Sequence, residues 1–135
     1  MATENVLKAM LRIIGSSSLL ALLFVAAPYE SMDYIHLSLG MGTLPDSPVV
    51  GYLARSTSAF YAMLGGLFWV VSFDVRRYRP VLIYLGAAVS LLGVVLLVVD
   101  WQEGMPRFWT VWEGPFVTLF GLTLLLLGRR IATHG

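Results

Sequence analysis

The chain has 135 residues, 58% of them hydrophobic and 13% charged, with a mean hydropathy of +0.79. So little charge cannot cover a water-soluble domain of this size, and the length fits one compact bundle without a second domain. A net charge of +1 offers no footing for nucleic acid, and the lack of cysteine excludes disulfides, thiolate metal sites and iron–sulfur clusters.

The first apolar segment runs from about Ile13 to Pro28. It follows MATENVLKAMLR, where Thr3 is placed to cap a helix and Lys8 and Arg12 to face headgroups. About 16 residues span roughly 24 Å, so the basic side chains must snorkel to complete a crossing. A cleaved leader is the rival reading. Ala26-Ala27-Pro28 is a poor cleavage site, and three further apolar segments favour an anchor.

The stretch from Tyr29 to Ser47 is longer than a turn. Ile35, Leu37 and Leu39 alternate with His36 and Ser38, which predicts a short extended piece lying over the bundle as a lid or interfacial segment. Gly40 and Gly42 argue against a long helix. His36 has no clustered partner and makes no metal site; a surface or hydrogen-bonded role is favoured over ligand binding.

The second segment runs from about Val49 to Phe73, the third from Val81 to Val99 and the fourth from Phe108 to Leu127. Each is long enough to span a bilayer with some tilt. Turn and charged residues bound them: Pro45, Asp46 and Pro48, then Arg76 to Pro80, then Asp100 to Pro106, then Gly128 to Arg130. The fold class is thus all-α, a single four-helix integral membrane domain.

Charge sets an expected orientation. Lys8, Arg12, Arg76, Arg77, Arg79, Arg129 and Arg130 fall on one side of a four-span chain. Glu30, Asp33, Asp46, Asp100, Glu103 and Glu113 fall on the other, where Arg107 is the one basic residue. The excess of Lys and Arg places both termini in the cytoplasm. Small residues suggest close helix packing: Ala54, Ser58, Ala62 and Gly66 in the second segment, Gly86, Ser90 and Gly93 in the third, and Gly114, Gly121 and Gly128 in the fourth.

Arg55 is the residue that asks most for an explanation, because hydrocarbon is a costly place for a guanidinium. Glu113 enters the fourth segment to a similar depth from the same external side, so an Arg55–Glu113 ion pair is expected. Binding of a ligand's polar head and snorkelling to external headgroups are the other roles open to Arg55. Tyr52, Ser56 and Tyr61 supply nearby hydroxyls. Trp101, Trp109 and Trp112 fit an interfacial aromatic belt and also suit the wall of an apolar pocket. Glu113-Gly114-Pro115 is placed to bend the start of the fourth helix.

A first helix and external segment, then LARSTSAFYAMLGG with its arginine near the outer end of helix two, then a basic turn and two apolar helices, resemble the small DoxX-like bacterial four-helix membrane proteins. The resemblance covers most of the chain and implies a multi-pass protein of the bacterial inner membrane. Some members of that group associate with quinone-linked oxidoreductases, so the resemblance implies a place beside redox partners and transfers no catalytic role. The favoured reading is a non-enzymatic protein that binds a lipid, a quinone-like molecule or a partner subunit in an outer-leaflet polar pocket. Its candidate lining is Arg55, Glu113, His36, Tyr52, Ser56, Tyr61, Trp101, Trp109 and Trp112, with no catalytic residue, metal or cofactor. Membrane lipids are the expected partners, with a homodimer or larger membrane complex. The alternatives are a small membrane enzyme or oxidoreductase subunit, with Glu113 as acid–base and Arg55 on an anionic group, and an oligomeric transporter.

Overall fold

A computed structural model of the chain describes residues 2–131. His134 and the rest of the C-terminal tail lie outside the described residues. The described chain is all helical, with α1 (Ala2–Leu19), α2 (Leu22–Ala26), α3 (Tyr29–Ser38), α4 (Pro48–Phe73), α5 (Arg79–Gln102) and α6 (Arg107–Arg130). Four stretches are long and apolar enough to cross a membrane: Ala2–Ala26, which joins α1 and α2, and the helices α4, α5 and α6. Large apolar side chains are exposed on all four, among them Leu23, Phe60, Leu91 and Leu119. In water such a surface drives association; in a bilayer it meets a solvent of its own polarity.

The first span corrects the expectation. Helix begins at Ala2, well before Ile13, so Thr3, Lys8 and Arg12 lie inside α1. At 1.5 Å per residue, the 25 residues of Ala2–Ala26 reach about 37 Å, which removes the shortfall that snorkelling was invoked to fill. Between α1 and α2 the backbone tightens: Ala21 N–H donates to Ser18, Leu23 to Leu20 and Phe24 to Ala21, each three residues back.

The stretch after Pro28 is also helical where an extended piece was expected. Pro28 has extended backbone, which ends α2 and starts α3, and Glu30 sits in the first turn of α3. Gly40 ends α3 at φ 73°, with Gly40 N–H donating to Leu37 and Met41 N–H to His36. That bond pattern is a Schellman motif. The glycine that argued against a long helix is the residue that stops a short one. Gly104, at φ 68°, closes α5 in the same way, with Gly104 N–H on Trp101 and Met105 N–H on Asp100.

The chain forms two compact units, one of Met1–Met10 with Val71–Gly135 and one of Leu11–Val70. In the first, α5 and α6 make an antiparallel hairpin whose seam is built from the small residues noted above. A Cβ on Gly114 would lie 2.7 Å from Leu97 Cβ, and one on Gly121 would strike Ser90. Leu82, Leu85, Val89, Phe120 and Leu124 are the buried large apolar residues of the two helices. At the opposite end from the Gly104 turn, Arg76 Nε donates to Glu4 Oε1 at 2.8 Å, and Arg79 donates to the carbonyls of Gly128 (3.2 Å) and Arg129 (3.3 Å). The start of α1, the basic turn and the end of α6 therefore meet at one end of this unit.

In the second unit α1 meets α4 at Gly15 and Gly65. A Cβ on Gly65 would sit 2.6 Å from Gly15 O, whereas one on Gly66 would meet nothing within 4 Å. Trp69 donates to Ser16 Oγ at 3.1 Å, and the Arg12 guanidinium lies over the Trp69 ring, 5.4 Å from its centroid. The expected stripe is thus correct at Ala62, which is buried, and one residue out at its glycine. Gly65→Ala is expected to lower stability by about 1–3 kcal/mol through overpacking. Gly66→Ala is expected to be neutral or to add up to about 1 kcal/mol through helix propensity. Thermal or denaturant unfolding in detergent compares the two.

Candidate functional site

The sequence places its candidates in both units. Arg55, His36, Tyr52, Ser56 and Tyr61 fall in Leu11–Val70; Trp101, Trp109, Trp112 and Glu113 fall in the other. The chain from Leu39 to Ser47 folds back on α3. Leu44 is held at both backbone groups, its N–H donating to Asp33 Oδ1 and its carbonyl accepting from Tyr29 Oη, each at 2.6 Å. His36 Nδ1 lies 2.8 Å from Gly42 O, a contact that requires the proton on Nδ1. His36 therefore serves this strap as a local tie.

Arg55 projects from α4 toward the break between α2 and α3. Its Nη1 donates to Val25 O at 3.2 Å and its Nη2 to Ala27 O at 3.1 Å. Pro28 cannot donate back to these carbonyls, which are left without helical partners at the end of α2. The planar fork of the guanidinium serves both at once. Ser56 bonds its own helix at Leu53 O (3.3 Å), and Tyr52 is exposed. Tyr61 is part of the same apolar surface, 40% exposed.

In the first unit Glu113 accepts from Trp109 Nε1 at 2.8 Å, one turn back on α6. Each of the two charges expected to pair thus has a partner within its own unit. Trp112 stacks on Phe116 and is exposed, as is Trp101, which suits an interfacial belt. α6 runs unbroken through Pro115.

The α5–α6 turn holds a cavity of about 360 Å³, lined by Asp100, Trp101, Met105, Arg107, Thr110 and Val111. That volume lies at the lower end of the range for small-molecule sites. Asp100 is the notable wall. Sequence reading ended the third helix at Val99 and left Asp100 in a loop, but α5 continues to Gln102 and carries Asp100 within its last turn. The residue is 5% exposed, and its Oδ2 is buried without a hydrogen-bond partner. Arg107 begins α6 across the turn and is exposed. Among the candidates named from sequence, only Trp101 lines this cavity; Asp100 and Arg107 were read as topology markers. Among the described residues no cluster of three or more His, Cys, Asp or Glu is placed to hold a metal.

No protein family matches the chain, and no curated protein or solved structure is significantly similar to it.

Two outcomes are expected. Arg55→Lys loses the two-pronged contact and lowers stability by about 1–3 kcal/mol, read by thermal unfolding in detergent. For Tyr29, desolvation first, then the charges of Asp46 and Asp33, raise the phenol above its ordinary 10.0. The neutral form that donates to Leu44 is therefore favoured. Its contribution is full below the unfolded value and is lost only as pH rises through the higher folded one. Phenolate absorbance should show a tyrosine titrating above the ordinary value, and Tyr29→Phe should remove that component.

Proposed function

We propose that this protein is a non-enzymatic, multi-pass membrane protein that binds an amphiphile at the α5–α6 turn. The observation that carries the reading is the cavity there, lined by Asp100 and Arg107 among walls that are otherwise largely apolar. A site with a few placed polar groups at the end of two spanning helices suits a molecule whose head is polar and whose tail is not. Exposed Trp101, Phe108 and Trp112 mark the depth of a headgroup layer.

The turn belongs to the external side in this reading. Arg76, Arg79 and Arg129 gather at the far end of the same hairpin, the end the positive-inside rule assigns to the cytoplasm. The bacterial inner membrane and the kinship with DoxX-like proteins are proposed on the sequence pattern.

A phospholipid with a photoreactive group near its head, in vesicles containing the protein, is expected to label residues 100–111 well above the α4–α5 turn. Labelling spread evenly along all the spans would overturn the site.

A further inference from the structure

We propose that the first half of α6 carries a binding site for a lipophilic organic ammonium ion, with Glu113 as its counter-ion and Trp109, Trp112 and Phe116 as its aromatic walls. None of the four lines the α5–α6 cavity, so the site stands whether or not that cavity takes an amphiphile.

The four residues stand at i, i+3, i+4 and i+7, which puts them on one face of the helix. Two contacts order that face. Trp109 Nε1 donates to Glu113 Oε2 at 2.8 Å. Trp112 stacks on Phe116, with ring centroids 5.6 Å apart and planes 14° apart, so the two π faces point the same way. The face is open: Trp112 is 70% exposed and Phe116 43%, while Trp109 and Glu113 are half-buried. Leu119, also exposed and seven residues on from Trp112, continues it along the helix.

Trp109 serves one oxygen of Glu113. The other, Oε1, takes no hydrogen bond from the described residues and is not sealed in the interior. Glu113 makes no ion pair among those residues. On α5 and α6 no Lys or Arg stands between Arg79 and Arg107, or between Arg107 and Arg129. Glu113 lies about 9 Å along a spanning helix from Arg107, where an unpaired negative charge calls for a cation.

The walls select which cation. A metal ion needs several oxygen ligands, and one carboxylate among indole and phenyl rings does not supply them. Aromatic faces attract a positive charge most when it has little water to shed. A compact primary ammonium is strongly hydrated and loses more water for the same contacts. Alkyl groups on the nitrogen thin that hydration and meet the apolar surface that Phe116 and Leu119 present.

Isothermal titration calorimetry with tetrabutylammonium, on protein in a non-ionic detergent with empty micelles as the blank, tests the site. Wild type should bind the ion. Glu113→Gln, which keeps an oxygen to accept from Trp109, should weaken binding about tenfold or more, the worth of a contact to a charged group. Trp112→Leu keeps an apolar surface but loses the indole face, and should weaken binding about two- to fivefold. Tyr84→Leu removes an equally exposed aromatic elsewhere on the hairpin and should change nothing. All three variants should keep wild-type helix content by circular dichroism. If Glu113→Gln fails to fold, the contrast between Trp112→Leu and Tyr84→Leu decides. No binding by wild type, binding unchanged in Glu113→Gln, or equal losses in Trp112→Leu and Tyr84→Leu overturns the site.

Discussion

The carbonyls at the ends of helices set the terms for this structure. In hydrocarbon no water is available to bond them, and each one left open costs several kcal/mol. Donors are supplied at the ends of α2, α3, α5 and α6. Arg55 serves the end of α2, and Arg79 reaches the last carbonyls of α6. Gly40 and Gly104 fold the chain back on α3 and α5 so that backbone N–H groups do the same work. After α4, Tyr78 N–H donates to Asp74 O, and the Asp74 carboxylate takes Arg77 N–H. Arg55, Arg79 and Asp74 are thereby committed to the backbone.

The same rule governs the hydroxyls inside the spans. Ser17, Ser90, Thr118 and Thr123 each donate to the carbonyl four residues back. Back-bonding of this kind satisfies the hydroxyl at little cost and leaves it with less to offer a neighbour or a solute. Ser90 and Thr118 also occupy the α5–α6 seam beside the glycines, where their small size matters more than their polarity. Polar residues in these helices are mostly structural, and a list of them is a poor guide to a site.

What could be read from the sequence follows from this. Long apolar runs bounded by Pro, Gly and Arg marked α4, α5 and α6 to within a few residues, because length and hydropathy alone decide which stretches can span. The first span was started at Ile13 because Glu4, Lys8 and Arg12 interrupt the apolar run, although Thr3 was read as a helix cap; Arg76 pairs with Glu4, and Trp69 receives Arg12. Helix α3 was missed because alternation at Ile35, Leu37 and Leu39 mimics a strand, although Pro28, Glu30 and Gly40 carried the start and stop signals. Arg55 was singled out as a charge in need of a partner. Its partners are main-chain atoms, which no count of side-chain charges reveals. Gly65 and Gly66 are indistinguishable by type, and only the rotation of α4 decides which of them faces Gly15.

Asp100 and Arg55 are two charges that the fold treats differently. Both are charged residues in long apolar helices, although only Arg55 stood out in the sequence. Arg55 has its hydrogen bonds within the fold, so its presence is explained without a ligand. Asp100 is more buried, and one of its oxygens has none. A chain that provides donors for its helix ends so consistently has the means to provide one here. Leaving the oxygen open costs stability. On that ground the unmet hydrogen bond, rather than the mere presence of charge in an apolar segment, separates a residue that the fold accounts for from one that it does not.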